Sequence, residues 1–291
     1  MTVREQTTTA VRQRQRNAAS LPETDCAWVV WVSSGGCEGC TMAVLGATAP
    51  SFEELLSGHL THVPRIELVH PALALEAGDE YLSVLEQAAS GALEPFLLVV
   101  EGSIFDESRA GAGSFSGLGS RAGQPIPVGE WVERLAPAAA AVIAIGTCAA
   151  SGGVPAARGN VTGAASLGAL LGAEFRAKSG LPIVNVPGCA PSGDAFIEVL
   201  SYTLLHLGNI VPLDLDEFGR PAWLYSTAIP LERVRQPGVR REPAEEMTAM
   251  CPVPSRGWIN HIGGCGSVGG ACTGCTRSDY PDVALELLIS R

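Results

Sequence analysis

Cys37-Glu38-Gly39-Cys40 follows the apolar run Cys26-Ala27-Trp28-Val29-Val30-Trp31-Val32 and a Ser33-Ser34-Gly35-Gly36 turn. It precedes Thr41-Met42-Ala43-Val44-Leu45, which reads as the start of a helix. Two thiols therefore sit at a strand-to-helix turn. The pattern recurs twice further on. Cys148 follows Ala141-Val142-Ile143-Ala144-Ile145 through Gly146-Thr147, and Cys189 follows Ile183-Val184-Asn185-Val186 through Pro187-Gly188. In a parallel α/β sheet such strands point the same way, and their C-terminal ends share one edge. Cys37, Cys40, Cys148 and Cys189 then converge there. Four thiolates around one site suit an iron–sulfur cluster or zinc.

The chain has 291 residues, 46% of them hydrophobic and 17% charged, with 34 glycines. That length fits one α/β domain plus a smaller C-terminal piece. The formal net charge of -11 argues against nucleic acid as a partner and is compatible with a cationic redox partner. Nine cysteines without a signal peptide read as metal ligands more readily than as disulfides. Met1 to Ser20 is polar, carries Arg4, Arg12, Arg14 and Arg16, and has no apolar stretch. It reads as a flexible leader of a cytoplasmic protein, peripheral to a membrane at most, and no run is apolar enough to span one.

Alternating strand and helix signals run over residues 25–207. Ser51 with Glu54 forms a capping pattern, Ile66–His70 reads as a strand, and Asp79–Ala89 as a helix. Phe96–Val100 is an unbroken apolar run of the kind buried on both faces, and it ends in Glu101-Gly102. Glu101 reads either as a proton-handling or supporting group beside the cysteines or as a helix cap. Residues 107–124 read as a long Gly/Ser/Ala-rich loop anchored by Phe115 and Leu118. Val128–Leu135, Ser166–Leu171 and Asp194–Leu207 read as helices. The pattern predicts a flavodoxin-like, doubly wound parallel sheet. Cys26, at the far end of the first strand, reads as a plain buried cysteine.

Residues 1–24 are expected to form a flexible arm, 25–207 the flavodoxin-like domain, and 208–291 an irregular domain with at most one helix, near Ala244–Met250. Within the last, Cys251, Cys265, Cys272 and Cys275 crowd a short turn-rich segment that cannot build its own core. A metal centre would organise it, and spacing leaves iron–sulfur and zinc both open.

Several stretches together resemble the small, electron-transferring subunit of nickel–iron hydrogenases. They are Cys37–Cys40, Val100-Glu101-Gly102, Gly146–Gly153, Val186–Pro191, Pro221-Ala222-Trp223-Leu224-Tyr225, and Arg256-Gly257-Trp258-Ile259-Asn260 through Cys275. These cover most of residues 26–282. The resemblance implies a proximal [4Fe–4S] cluster on Cys37, Cys40, Cys148 and Cys189, facing the nickel–iron site of a separate large subunit. It also implies a second centre on Cys251, Cys272 and Cys275. Cys265 would make that centre [4Fe–4S]; without it the centre would be [3Fe–4S]. Hydrogen would be split on the large subunit, so this chain alone would not turn it over. A higher oligomer of heterodimers is also expected.

Typical members of that family hold a third, distal cluster on a histidine, a cysteine three positions later and two further cysteines. Here Trp223-Leu224-Tyr225 is followed by Ser226–Arg233 with neither residue type, and no cysteine lies between Cys189 and Cys251. His206 precedes the segment and has no cysteine partner. Two clusters are expected, with electrons leaving from the Cys251–Cys275 centre either to a further redox partner docked over residues 226–250 or to a small acceptor reaching that surface. A rival is the quinone-reducing iron–sulfur subunit of complex I, which has adjacent cysteines where Cys37 and Cys40 are separated. Another is a metal-binding scaffold without redox turnover.

Overall fold

The computed structural model describes residues 26–71, 78–230, 248–265 and 272–282. The expected N-terminal arm, residues 1–24, lies outside them. Strand β1 (Cys26–Ser33) leads into helix α1 (Gly39–Leu45) and α2 (Phe52–Ser57), followed by β2 (Arg65–Val69), α3 (Asp79–Ala89) and β3 (Phe96–Glu101). A hairpin of β4 (Gly117–Arg121) and β5 (Gln124–Pro127) precedes α4 (Val128–Leu135), β6 (Ala141–Ile145) and α5 (Gly146–Ser151). Then come α6 (Leu167–Leu171), β7 (Val184–Val186) and the long α7 (Gly193–Leu207). β8 (Ala228–Pro230), β9 (Thr248–Met250) and α8 (Val253–Arg256) follow.

The central sheet has the order β2-β1-β3-β6-β7, with every pairing parallel. Counting only its own strands, this is the flavodoxin-like 2-1-3-4-5 order expected from the alternation. Leu97 and Val99 of β3 pack against Phe196, Val199 and Leu200 of α7 in one layer. Leu98 and Val100 pack against Leu85 of α3 and Trp131 and Leu135 of α4 in the other. Burial on both faces explains the unbroken apolar run of β3. Ser51 caps α2 as its spacing implies: the Glu54 N–H donates to Ser51 Oγ at 3.1 Å, and the Ser51 N–H donates to Glu54 Oε2 at 2.8 Å.

Two sequence expectations need correction. Residues 107–124 are not a plain loop: they contain a 3₁₀ turn at Glu107–Arg109 and most of the β4–β5 hairpin. The hairpin turns on Ala122 and Gly123, both at positive φ (51° and 78°), as a two-residue hairpin loop requires. Only Gly123 advertises that geometry in sequence. Phe115 remains 38% exposed and meets Phe105 edge-on, so it is a surface contact, while Leu118 is half-buried and its carbonyl accepts from Trp131 Nε1–H at 2.8 Å. The helix expected near Ala244–Met250 is replaced at Thr248–Met250 by a strand that pairs with β8, Ala228 opposite Met250. Residues 231–247 lie outside the described residues.

The C-terminal segment is tied to α7 and the first loops by a few polar links. Asp194 Oδ1 accepts from the N–H groups of Thr48 at 2.7 Å and Ala49 at 3.2 Å. Its Oδ2 takes the N–H of Asn260. Ser192 Oγ donates to the Trp258 carbonyl at 3.1 Å. Arg256 pairs with Glu198 at 2.6 Å, and Trp223 Nε1 donates to the same carboxylate at 3.1 Å. Among the described residues no helix is long and apolar enough to cross a membrane.

Candidate functional site

One register row sets the first group of cysteines. Ser33 stands opposite Glu101, Glu101 opposite Ile145, and Ile145 opposite Val186. The four strands therefore end level. Cys148 and Cys189 each lie three residues beyond this row, and Cys37 lies four beyond it. The edge also bends the backbone sharply. Glu38, at the start of α1, adopts φ 58°, a left-handed conformation that is uncommon outside glycine. Gly146 has φ 82°, and a Cβ there would stand 2.4 Å from Cys40 Sγ; at Gly153 (φ 57°) it would stand 2.6 Å from Cys148 Sγ. Both glycines are needed for the backbone to approach the thiols this closely.

The thiols feel one another. Burial pushes Cys40 far above the ordinary thiol range, and Glu101 and the thiols of Cys148, Cys37 and Cys189 add to the shift. Cys148 is raised by burial, opposed by a hydrogen bond with Ser103. Cys189 is raised by burial, opposed by a hydrogen bond with Tyr280. Each of the nine cysteines is a free thiol. Cys26 starts β1, at the end of the strand away from this edge, and is half-buried rather than fully buried.

Glu101 is 2% exposed and fully engaged. Its Oε1 accepts from the N–H groups of Cys40 at 3.0 Å and Thr41 at 3.3 Å, and its Oε2 accepts from the Thr41 hydroxyl at 2.5 Å. Thr41 Oγ1 also lies 3.1 Å from His70 Nε2. A hydroxyl has one proton. Because Thr41 gives it to Glu101, His70 is the donor, from Nε2–H. Burial also pulls His70 down to about 4. Glu101 thus caps the first turn of the nearby helix α1, and through the Cys40 N–H it also lies beside the cysteines.

The second group gathers beside the first. Burial raises Cys251 to about 11, with smaller contributions from Cys272 and Cys265. Cys272 is raised by burial and then by Cys265. Cys275 rises to about 12 through burial, then Cys251, Cys189 and Cys265. A cavity of about 280 Å³ is lined by Cys189, Cys251, Cys265 and Cys275, with Trp258 and Thr276. Cys272 is not on its wall. Thr147 joins the two groups: its hydroxyl donates to the Cys275 carbonyl and accepts the Gly188 N–H at 3.0 Å. Tyr280 lies between them as well, pushed up to about 12 by burial and by Cys189, Cys275 and Cys148.

Among the described residues no three Cys, His, Asp or Glu side chains close into a finished metal-binding group. The donor set nevertheless fits an iron–sulfur centre. Thiols are what such centres bind. The two edge glycines leave room for sulfur against backbone. Thr276 lines the cavity, and its buried hydroxyl has no partner among the described residues. Thr41, His70, Thr147, Asp194, Thr276 and Tyr280 were not singled out for a role at the site from sequence. Thr41 and Thr276 directly follow cysteines of the two groups, which is the signal that could have found them.

The family described as "NADH ubiquinone oxidoreductase, 20 Kd subunit" matches residues 37–203. A periplasmic [NiFeSe] hydrogenase small subunit from Desulfomicrobium baculatum is 31% identical over 87% of this chain and 84% of its own length. The Hydrogenase-2 small chain of Escherichia coli K12 is 33% identical over 72% of this chain, which spans only 50% of that relative. Among solved structures, an actinobacterial-type NiFe-hydrogenase chain from Ralstonia eutropha H16 superposes with a TM-score of 0.81 at 37% identity. The overlap covers 92% of this chain and 83% of that one. The reduced Ni-Fe-Se hydrogenase of Desulfomicrobium baculatum gives a TM-score of 0.69 at 28% identity, covering 89% of this chain and 97% of its own.

Proposed function

The chain belongs to the small subunits of nickel–iron hydrogenases, within the family of the NADH ubiquinone oxidoreductase 20 kDa subunit, and from this premise we propose that it conducts electrons between a large subunit and an acceptor through two iron–sulfur centres. The observation that carries the reading is the level row Ser33–Glu101–Ile145–Val186, which delivers Cys37, Cys40, Cys148 and Cys189 to one edge. We assign these four as ligands of a proximal [4Fe–4S] centre, and Cys251, Cys265, Cys272 and Cys275 as ligands of a second. Iron–sulfur centres held there supply reversible one-electron storage.

The chain's own residues do the rest. Glu101 and the Cys40 and Thr41 N–H groups fix the first turn of α1, so the pair of thiols at Cys37 and Cys40 keeps one geometry. Val32, Val100 and Ile145 keep water from below the edge. The large subunit would dock on the exposed side of that edge, where Cys37 and Cys189 face outward. Residues 208–291 form the second functional unit, and electrons leave it near residues 226–250 to a further redox partner. With no cysteine between Cys189 and Cys251, the distal centre is missing. Assembly as a higher oligomer of heterodimers and a cytoplasmic location complete the proposal; cell fractionation tests the latter, against a relative named periplasmic.

The complex I reading draws on the match at residues 37–203, which stops before the C-terminal cysteines. The hydrogenase relative from Desulfomicrobium baculatum extends over 277 residues, which favours the hydrogenase reading. The test is anaerobic co-purification followed by visible and EPR spectra and iron analysis. Two four-iron centres give about eight irons in the isolated small subunit, and a large subunit co-purifies with the chain. A value near twelve, or zinc without visible absorption, overturns the assignment.

A further inference from the structure

Three buried side-chain polar atoms have no partner among the described residues: Trp31 Nε1, Ser34 Oγ and Thr276 Oγ1. Of these, only Thr276 lines the cavity shared by Cys189, Cys251, Cys265 and Cys275. The residue is 4% exposed, so water does not satisfy its hydroxyl. A buried hydroxyl left without a partner is destabilising, and valine has the same shape without that cost.

The backbone around it is held. Thr276 O accepts from Arg220 Nη1 at 3.5 Å, and Arg220 Nε is anchored on Asp216 at 2.8 Å. The preceding carbonyl, that of Cys275, accepts from the Thr147 hydroxyl. Two successive carbonyls are engaged, and Thr276 is part of the cavity lining. The Arg220 side chain is itself only 12% exposed, so a cation is set beside the same turn. Sulfur, in the form of sulfide or cysteinyl thiolate, accepts hydrogen bonds. A donor aimed at it stabilises the more negative, reduced state of an iron–sulfur centre.

We propose that Thr276 is a tuning residue: its hydroxyl donates to a sulfur of the centre held by Cys251, Cys265, Cys272 and Cys275, and raises that centre's reduction potential. The inference rests on the proposed function. The first group already has hydroxyl partners, Ser103 at Cys148 and Tyr280 at Cys189, with the Glu101 carboxylate beside Cys40. The second group has Thr276 on its cavity wall, with the Arg220 guanidinium beside the same turn.

The test uses the full heterodimer, purified anaerobically, with Thr276→Val and Thr276→Ser compared in EPR-monitored redox titrations. Thr276→Val is expected to lower the midpoint potential of the second centre alone, with iron content and the first centre unchanged. Thr276→Ser, which keeps the hydroxyl, is expected to restore the wild-type value. If Thr276→Val does not retain its iron, Thr276→Ala is read in its place with the same expected shift. Unchanged potentials in an iron-replete Val or Ala variant overturn the inference, as does an equal shift in both centres. Absence of iron from the wild-type protein overturns the proposed function itself, a result distinct from either.

Discussion

Cys148 and Cys189 each stand three residues past a strand of the central sheet, whereas Cys251, Cys265, Cys272 and Cys275 stand on no strand of it. The first group is placed by backbone that is buried for other reasons. β3 and β6 are buried along their whole length, and their ends would be level with or without a metal. The second group has short elements around it, β9 and the four-residue α8, and depends on side-chain links to α7 and α5. A sheet can preorganise ligands; a turn-rich segment needs the ligand to organise it. The comparison makes the second proposed centre the one expected to depend on metal for its folding, although the same chemistry is proposed for both.

The largest effect should come from removing iron. Chelation of the anaerobic protein is expected to raise amide hydrogen exchange in residues 251–282 by about 100-fold or more, because ordering there is coupled to the metal. Exchange in β1, β3 and β6 should stay slow. Equal loss of protection in both regions would break the comparison.

Asp194 comes next, since its carboxylate joins the loop after α1 to the C-terminal segment. It accepts from Thr48, Ala49 and Asn260, and it is 6% exposed. Asp194→Ala leaves three N–H groups without their acceptor. A loss of about 3 kcal/mol is expected in denaturant titration, at the upper end for bonds to a charged group. A loss below 0.5 kcal/mol, the scale of an ordinary surface substitution, would show that the regions do not depend on this link.

The first region was readable in sequence because strand pattern and cysteine position reinforce each other. Apolar runs at Trp28–Val32, Phe96–Val100 and Ala141–Ile145 announce buried parallel strands, and the cysteines follow at fixed offsets. Glu101 was located but left between two roles, because sequence does not show which N–H groups a carboxylate meets. The β4–β5 hairpin was missed, since its strands, Gly117–Arg121 and Gln124–Pro127, carry little of the β-branched alternation that marks a strand. The C-terminal links were also hidden. Asp194–Asn260 and Thr147–Cys275 join residues 66 and 128 positions apart, and nothing local in either partner points to the other.

His70 sharpens the comparison from the side of the sheet. It is fully buried, neutral, and joined to Glu101 through Thr41. Burial depresses it from 6.5 to about 4 in the fold. The unfolded chain therefore binds the proton first as pH falls. Stability from this group is complete above about pH 6.5 and is lost toward pH 4, at no more than about 1.4 kcal/mol per pH unit. His70→Asn should flatten the slope of unfolding free energy against pH in that window. An unchanged slope would show that the acid sensitivity arises elsewhere.

The smallest expected effect lies where the two regions touch. Thr147 is 1% exposed, and its one hydroxyl serves both. It accepts the Gly188 N–H at 3.0 Å, next to Cys189, and donates to the carbonyl of Cys275. Thr147→Val keeps the shape and removes both bonds. The Gly188 N–H has no other hydrogen bond among the described residues to replace it, whereas the Cys275 carbonyl can turn toward water as its segment moves. One unpaired buried donor costs about 1 kcal/mol, so denaturant titration should show a loss of that size. The segment should respond more than the sheet: exchange at Cys275–Arg277 should rise about 10-fold, while β6 and β7 stay unchanged, because the sheet row Ile145–Val186 does not use this hydroxyl. If exchange rises in β7 instead, Thr147 supports the sheet edge rather than the tether. The second group would then be held by its own metal and by the links through Asp194, Ser192 and Glu198.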